Sequence, residues 1–262
     1  MVAVQQRRPV MTPSAQVAAM VLVTGSLLSL AAQAGPSLVA VAVGLCGLLL
    51  AWGWAGILGL PTPRGTAGVL ALGAVVVVLS VAVRGEQPWL TWLPAALSVS
   101  MIAALVHQLL RRDGRPRLVE SVTSVVLGLA LVSCGALLVP LVHTEPGAWL
   151  VAVTMAAAGA SSVTEVAGRW SGVRPWLVPA ALLAGGLAAV AVGLAGGLPW
   201  PAVLLLGVGA AAVSHAVRMV LSVQPTMAQA RPRLVAAVSS ALVTGAVAYA
   251  VARTMLPDIL AG

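Results

Sequence analysis

Nine apolar stretches run through this chain, and none has an Asp, Glu, Lys or Arg near its middle. They are Ala15–Ala34, Ser37–Leu60, Thr66–Val83, Pro88–Leu110, Leu118–Val142, Gly147–Ala167, Pro175–Gly196, Pro199–Leu221 and Leu234–Leu256. A bilayer core about 30 Å thick takes about 20 apolar residues per helix, so each stretch is long enough to cross one. The breaks between them (GPS, PTPRG, RGEQP, HTEPG, GGLPWP and QPTMAQARPR) are rich in the residues that end helices. Composition agrees: 60% of the 262 residues are hydrophobic, 8% are charged, and the mean hydropathy is +1.06. The fold expected is an all-α polytopic bundle of nine transmembrane helices, with residues 1–14 and 257–262 as short tails around a single membrane domain at 15–256.

Arginine distribution sets the expected orientation. All fourteen basic residues are arginine. If the N-terminus is cytoplasmic, the inside receives Arg7, Arg8, Arg64, Arg111, Arg112, Arg115, Arg117, Arg169, Arg174, Arg218, Arg231 and Arg233. Only Arg84 and Arg253 fall outside. Short cytoplasmic loops collect arginine, so the N-terminus is placed inside, the C-terminus outside, and the chain in a bacterial cell (inner or plasma) membrane as a multi-pass protein. Arg7-Arg8, an apolar run and Ala32-Gln33-Ala34 also imitate a secretory leader; an uncleaved first helix is the expectation here.

The net charge of +8 does not describe a nucleic-acid surface, because the arginines sit in short loops without interleaved aromatics. No nucleic-acid partner is expected. The partners expected are membrane lipids, through anionic headgroups at the cytoplasmic face, together with another membrane protein. Cys46 and Cys134 fall inside apolar runs and read as packing residues. No cofactor is specified by any motif, and lysine chemistry is ruled out because the chain has no lysine.

Close helix packing in lipid depends on small side chains. Rows at four-residue spacing occur at Ala152, Ala156, Ala160 and Thr164, at Ala181, Gly185, Ala189, Gly193 and Gly197, and at Ala236, Ser240, Thr244 and Ala248. The last four helices are therefore expected to form the tight centre, with the first three peripheral. Pro-Trp recurs at Pro88-Trp89, Pro175-Trp176 and Pro199-Trp200. Proline suits a first helical turn and tryptophan the headgroup belt.

Ionisable residues near a span are the functional candidates. His107 and Arg111 end the fourth stretch, Glu120 opens the fifth, Glu165 and Arg169 end the sixth, and His215 and Arg218 approach the end of the eighth. Were these helices neighbours, the seven would form a ring at the cytoplasmic boundary able to hold an anionic ligand or headgroup. The plainer reading is that the arginines orient the chain and that Glu–Arg pairs four residues apart stabilise helix ends.

GASSVTEVAGRWSG places Gly168, Arg169 and Gly172 in a G-R-x-x-G turn after a small-residue helix. Over about residues 115–225 the chain resembles the phosphatidate cytidylyltransferases, which make CDP-diacylglycerol in the membrane. That resemblance implies a related bundle. The family's acidic residue before the turn falls near Ser161, and its closing Gly-His-Gly-Gly and Asp-Arg-x-Asp signatures are absent, so no catalytic residue carries over. Three functions stay open. The first is a non-catalytic partner or scaffold subunit with inner-leaflet lipid contacts. The second is a lipid-headgroup transferase using Glu120 or Glu165 with Arg111 and Arg169. The third is an uncoupled carrier or flippase for an amphiphile using the Gly/Ala-rich seam.

Overall fold

A computed structural model describes residues 11–112, 114 and 116–261. Arg7, Arg8 and Arg115, which contribute to the arginine count, lie outside the described residues, as does most of the 1–14 tail. The described chain is built from helices and turns. They are α1 (Pro13–Ala34), α2 (Pro36–Ile57), α3 (Pro63–Ala82), α4 (Leu93–Leu109), α5 (Leu118–Ala136), α6 (Leu138–Leu141), α7 (Glu145–Thr164), α8 (Leu177–Ala195), α9 (Trp200–Ser222), α10 (Ala230–Leu242), α11 (Thr244–Met255) and α12 (Asp258–Ala261). Proline occupies the first turn of α1, α2, α3, α4, α7 and α9, where its missing N–H costs nothing. Gly35, at φ 118°, joins α1 to α2 in a conformation that side chains disfavour.

Eight helical segments among the described residues are long and apolar enough to cross a bilayer. The fourth expected span is the exception. α4 has 17 residues, about 25 Å at 1.5 Å per residue. It starts at Leu93 rather than Pro88 because Pro94 marks the helix entrance, and the preceding residues fold into turns held by Thr91 and Leu93 N–H donation to Pro88 and Leu90.

Two spans are interrupted. Pro140 has no N–H to offer Ala136, and α5 breaks from α6 at Leu137. The last span breaks at Val243, where the hydroxyls of Ser240 and Thr244 donate back to the carbonyls of Ala237 and Ala241, a habit that bends helices.

Burial corrects the expected centre. α8 lies at the periphery: its Ala181–Gly185–Ala189–Gly193 row seals against α7 and α9, while Leu183 and Leu187 on other faces are 67% and 71% exposed. A stripe of small residues allows one close contact and does not make a helix central. α2 is a core helix despite its Val/Leu character, burying Val39, Val43, Leu50 and Trp54. Trp54 Nε1 donates to the Ser124 carbonyl of α5 at 2.8 Å, satisfying its one polar atom. α1 packs on α7 and α10, with Gly25 lying against Met155.

Contacts between loops define two ends of the bundle. At one end, the Arg117 guanidinium reaches the Gly59 carbonyl, the Thr226 hydroxyl donates to Ile57, Arg233 bonds Gln16, and Arg231 stacks on Trp52 at 3.9 Å. At the other, Gln87 bonds the Leu260 carbonyl and Thr144 donates to that of Ile259. Arg84 and Arg253 belong to this second, arginine-poor end. Trp176 and Trp200 are exposed, as a headgroup belt requires, but Trp89 is buried and stacks on His143 at 4.0 Å between ring centroids.

Candidate functional site

The seven ionisable candidates do not close into one ring. α4 packs on α3 and α5, whereas α9 packs on α7, α8, α10 and α11, so His107, Arg111 and Glu120 gather apart from Glu165, Arg169, His215 and Arg218. In the first group Arg111 donates to Gln108 Oε1 at 2.7 Å. Glu120 pairs with Arg117 at the exposed start of α5. The His107 ring lies over Gly65, whose missing side chain makes room for it. His107 Nε2 is buried without a partner among the described residues, as are the hydroxyl oxygens of Thr62, at the N-cap position of α3, and Thr66 in its first turn.

The second group is more tightly built. α7 ends at Thr164, and residues Glu165–Arg169 tighten into a 3-10 turn. With three residues per turn instead of 3.6, Glu165 and Arg169 no longer share a face. The expected i,i+4 pair is accordingly absent, and each residue finds another partner. Arg169 lies over the Trp170 ring, 4.2 Å from its centroid. Glu165 turns inward to α9, where Oε1 accepts from His215 Nδ1 and from Arg218 Nε, each at 2.8 Å.

Arg218 is the centre of this cluster, with its side chain only 2% exposed. Besides Glu165, it donates to Ser161 on α7 at 2.8 Å, to Ser240 on α10 at 3.4 Å, and to Ser214 one turn back on α9. A buried guanidinium needs both a counter-charge and hydrogen-bond acceptors, and three helices supply them here. Sequence reasoning missed Ser161 and Ser240. The signal available was the doublets Ser161-Ser162 and Ser239-Ser240, polar pairs inside apolar helices whose hydroxyls can serve a neighbour.

Because His215 Nδ1 faces the carboxylate, it carries the proton of that bond, and Nε2 is left buried with no partner among the described residues. Above the cluster opens a cavity of about 390 Å³ between α1, α8, α9 and α10, bordered by Glu165, Arg169 and Arg218 and walled by Val17, Leu177, Met219 and Met227. It offers apolar walls and guanidinium groups together, a combination suited to an amphiphile with an anionic head. The Gly/Ala seam, by contrast, is filled: a side chain at Gly185 would meet Ala211, and one at Gly207 would meet Ala189. No group of three or more His, Cys, Asp or Glu able to hold a metal occurs among the described residues. The chain matches no protein-family model, no curated protein and no solved structure.

Proposed function

We propose that this multi-pass membrane protein is a non-catalytic binding or scaffold subunit that seats an anionic lipid headgroup in the α1–α8–α9–α10 cavity at its arginine-rich end. The observation that carries this reading is the pairing of apolar walls with Arg169 at the rim and the buried Glu165–Arg218 pair behind it. Glu165 and Arg218 largely neutralise each other, so Arg169 supplies the cationic charge available to a phosphate. The asymmetry of the arginines supports placing this end in the cytoplasm. The lipid-headgroup transferase implied by the sequence resemblance competes for the same cavity. It would need Glu165 as base or cation ligand, yet His215 and Arg218 already engage that carboxylate.

Native mass spectrometry from nanodiscs of equal phosphatidylglycerol and phosphatidylcholine tests the binding. The wild-type chain is expected to retain phosphatidylglycerol, Arg169→Gln to retain at least about threefold less, and Arg84→Gln to match wild type. Equal retention by R169Q would remove the support. Given phosphatidate and CTP, the purified protein is expected to yield no CDP-diacylglycerol; product would favour the transferase. Orientation has its own check. A cysteine at the exposed Arg112 is expected to react with an impermeant maleimide only when the cytoplasmic face is open, and reaction from the outside would reverse the assignment.

A further inference from the structure

At the arginine-poor end, a second cavity of about 420 Å³ lies between the turn before α4, the end of α11 and the closing segment Pro257–Leu260. Five side chains with polar atoms border it: Gln87, Trp89, Thr91, Tyr249 and Arg253, of which Thr91 donates its hydroxyl to the Pro88 carbonyl. Tyr249, the chain's single tyrosine, and Arg253 stand one turn apart on the same face of α11. Trp89 is 4% exposed, and its Nε1–H has no acceptor among the described residues. Stacking on His143 holds the ring in place. Gln87 closes one side by bonding the Leu260 carbonyl.

The bland account of Arg253 is compensation of the α11 dipole, since it occupies that helix's last turn. That account explains neither the cavity beside it nor the orphaned indole. Nor does orientation explain it, because Arg253 lies at the end that all other arginines but Arg84 are expected to avoid. Asp258 is close in sequence but forms no ion pair with it among the described residues. An indole N–H and a guanidinium can only donate, and a phenol donates readily. Gln87 and Thr91 already commit donors to the Leu260 and Pro88 carbonyls. The donors left at this cavity are the indole, the phenol and an exposed cation with no ion pair among the described residues, a set that suits oxygen atoms carrying negative charge.

We propose that this cavity is an anion site, in which Arg253 pairs with a carboxylate or phosphate, Trp89 Nε1 and Tyr249 donate to its oxygens, and Pro257 and Leu260 cover its apolar part. The shared chemistry is an anionic oxygen group on a small organic acid, inorganic phosphate or a lipid headgroup. It is separate from the cavity at the arginine-rich end.

The test uses the full chain in phosphatidylcholine nanodiscs, titrated calorimetrically with benzoate and with inorganic phosphate. Retention of phosphatidylglycerol from mixed nanodiscs is measured in parallel by native mass spectrometry. Binding of benzoate or phosphate identifies a free anion; retention of phosphatidylglycerol that persists in Arg169→Gln, where the first cavity is weakened, and falls when Arg253→Gln is added identifies a headgroup. Whichever probe binds, Arg253→Gln is expected to weaken it at least about tenfold, as loss of a charge-assisted bond does. Trp89→Phe, which keeps the stacked ring and deletes the N–H, is expected to weaken it several-fold. Arg84→Gln, at the same end but outside the lining of this cavity, is expected to leave it unchanged. Arg253→Lys retains the charge and guards against a folding artefact, with binding intermediate between wild type and R253Q. No binding by any of the three probes, or binding equally strong in R253Q, overturns the proposal.

Discussion

Replacing Glu165 with alanine is expected to destabilise the bundle by about 3–5 kcal/mol, the range for stripping one partner from a buried ion pair. The magnitude follows from what is left behind. Arg218 would keep Ser161, Ser214 and Ser240 as acceptors, but its charge would have no counter-charge in a surrounding that is 2% exposed. His215 would lose the acceptor of its Nδ1–H as well. Removing the cation together with the anion is expected to recover part of the loss, so Glu165→Ala/Arg218→Met should be more stable than the sum of the single variants implies, with a coupling above about 1 kcal/mol. Steric trapping or graded dodecyl-sulfate unfolding in bicelles would measure this cycle. Glu120→Ala provides the contrast. Its pair with Arg117 is 57% exposed on the carboxylate side, and exposed pairs contribute about 0–1 kcal/mol. Equal losses at Glu165 and Glu120 would mean that the inner pair is not the structural rivet described.

The same cluster shows how far the residues alone could be read. Position along the chain was legible: hydropathy and the proline and arginine breaks located the helices to within about five residues, and the seven ionisable candidates lie within about two turns of a helix end. Azimuth was not. Which helices touch depends on packing across the bundle, and a four-residue row of small side chains reports only that one face can approach something closely. Hence α8 was expected at the centre and lies outside, while α2, whose Leu50 and Trp54 carry no distinguishing pattern, lies within. Local geometry also escaped. Nothing in TEVAGRW announces that the helix tightens at Glu165, yet that change separates Glu165 from Arg169 and turns the carboxylate toward His215 and Arg218. The interruption at Leu137 was readable from Pro140; that at Val243 depends on hydroxyls bonding their own helix, which serine and threonine do only in some contexts.

Those interruptions bring two spans close together, and glycine is the residue that permits it. Gly245, two residues past the break at Val243, stands where an added Cβ would lie 2.1 Å from the Cys134 carbonyl oxygen of α5. In return a Cβ at Gly135 would lie 2.4 Å from the Leu242 side chain, so the two helices interlock through a pair of glycines. An alanine in a helix interior ordinarily stabilises it by about 1 kcal/mol relative to glycine. At Gly245 the sign is expected to reverse. The obstructing atom is backbone, which cannot rotate aside, and forced overpacking costs about 1–3 kcal/mol beyond the forfeited propensity gain. Gly44, on α2, is the matched control because an added Cβ there meets nothing within 4 Å. Gly44→Ala is therefore expected to be neutral or stabilising by up to about 1 kcal/mol, and Gly245→Ala to lower stability by about 1–3 kcal/mol in the same bicelle unfolding assay. The sign separates packing from propensity, since propensity alone moves both variants the same way. Were both substitutions to stabilise, the close crossing of α5 and α11 would be wrong, and so would the position of α10, whose Ser240 helps hold Arg218.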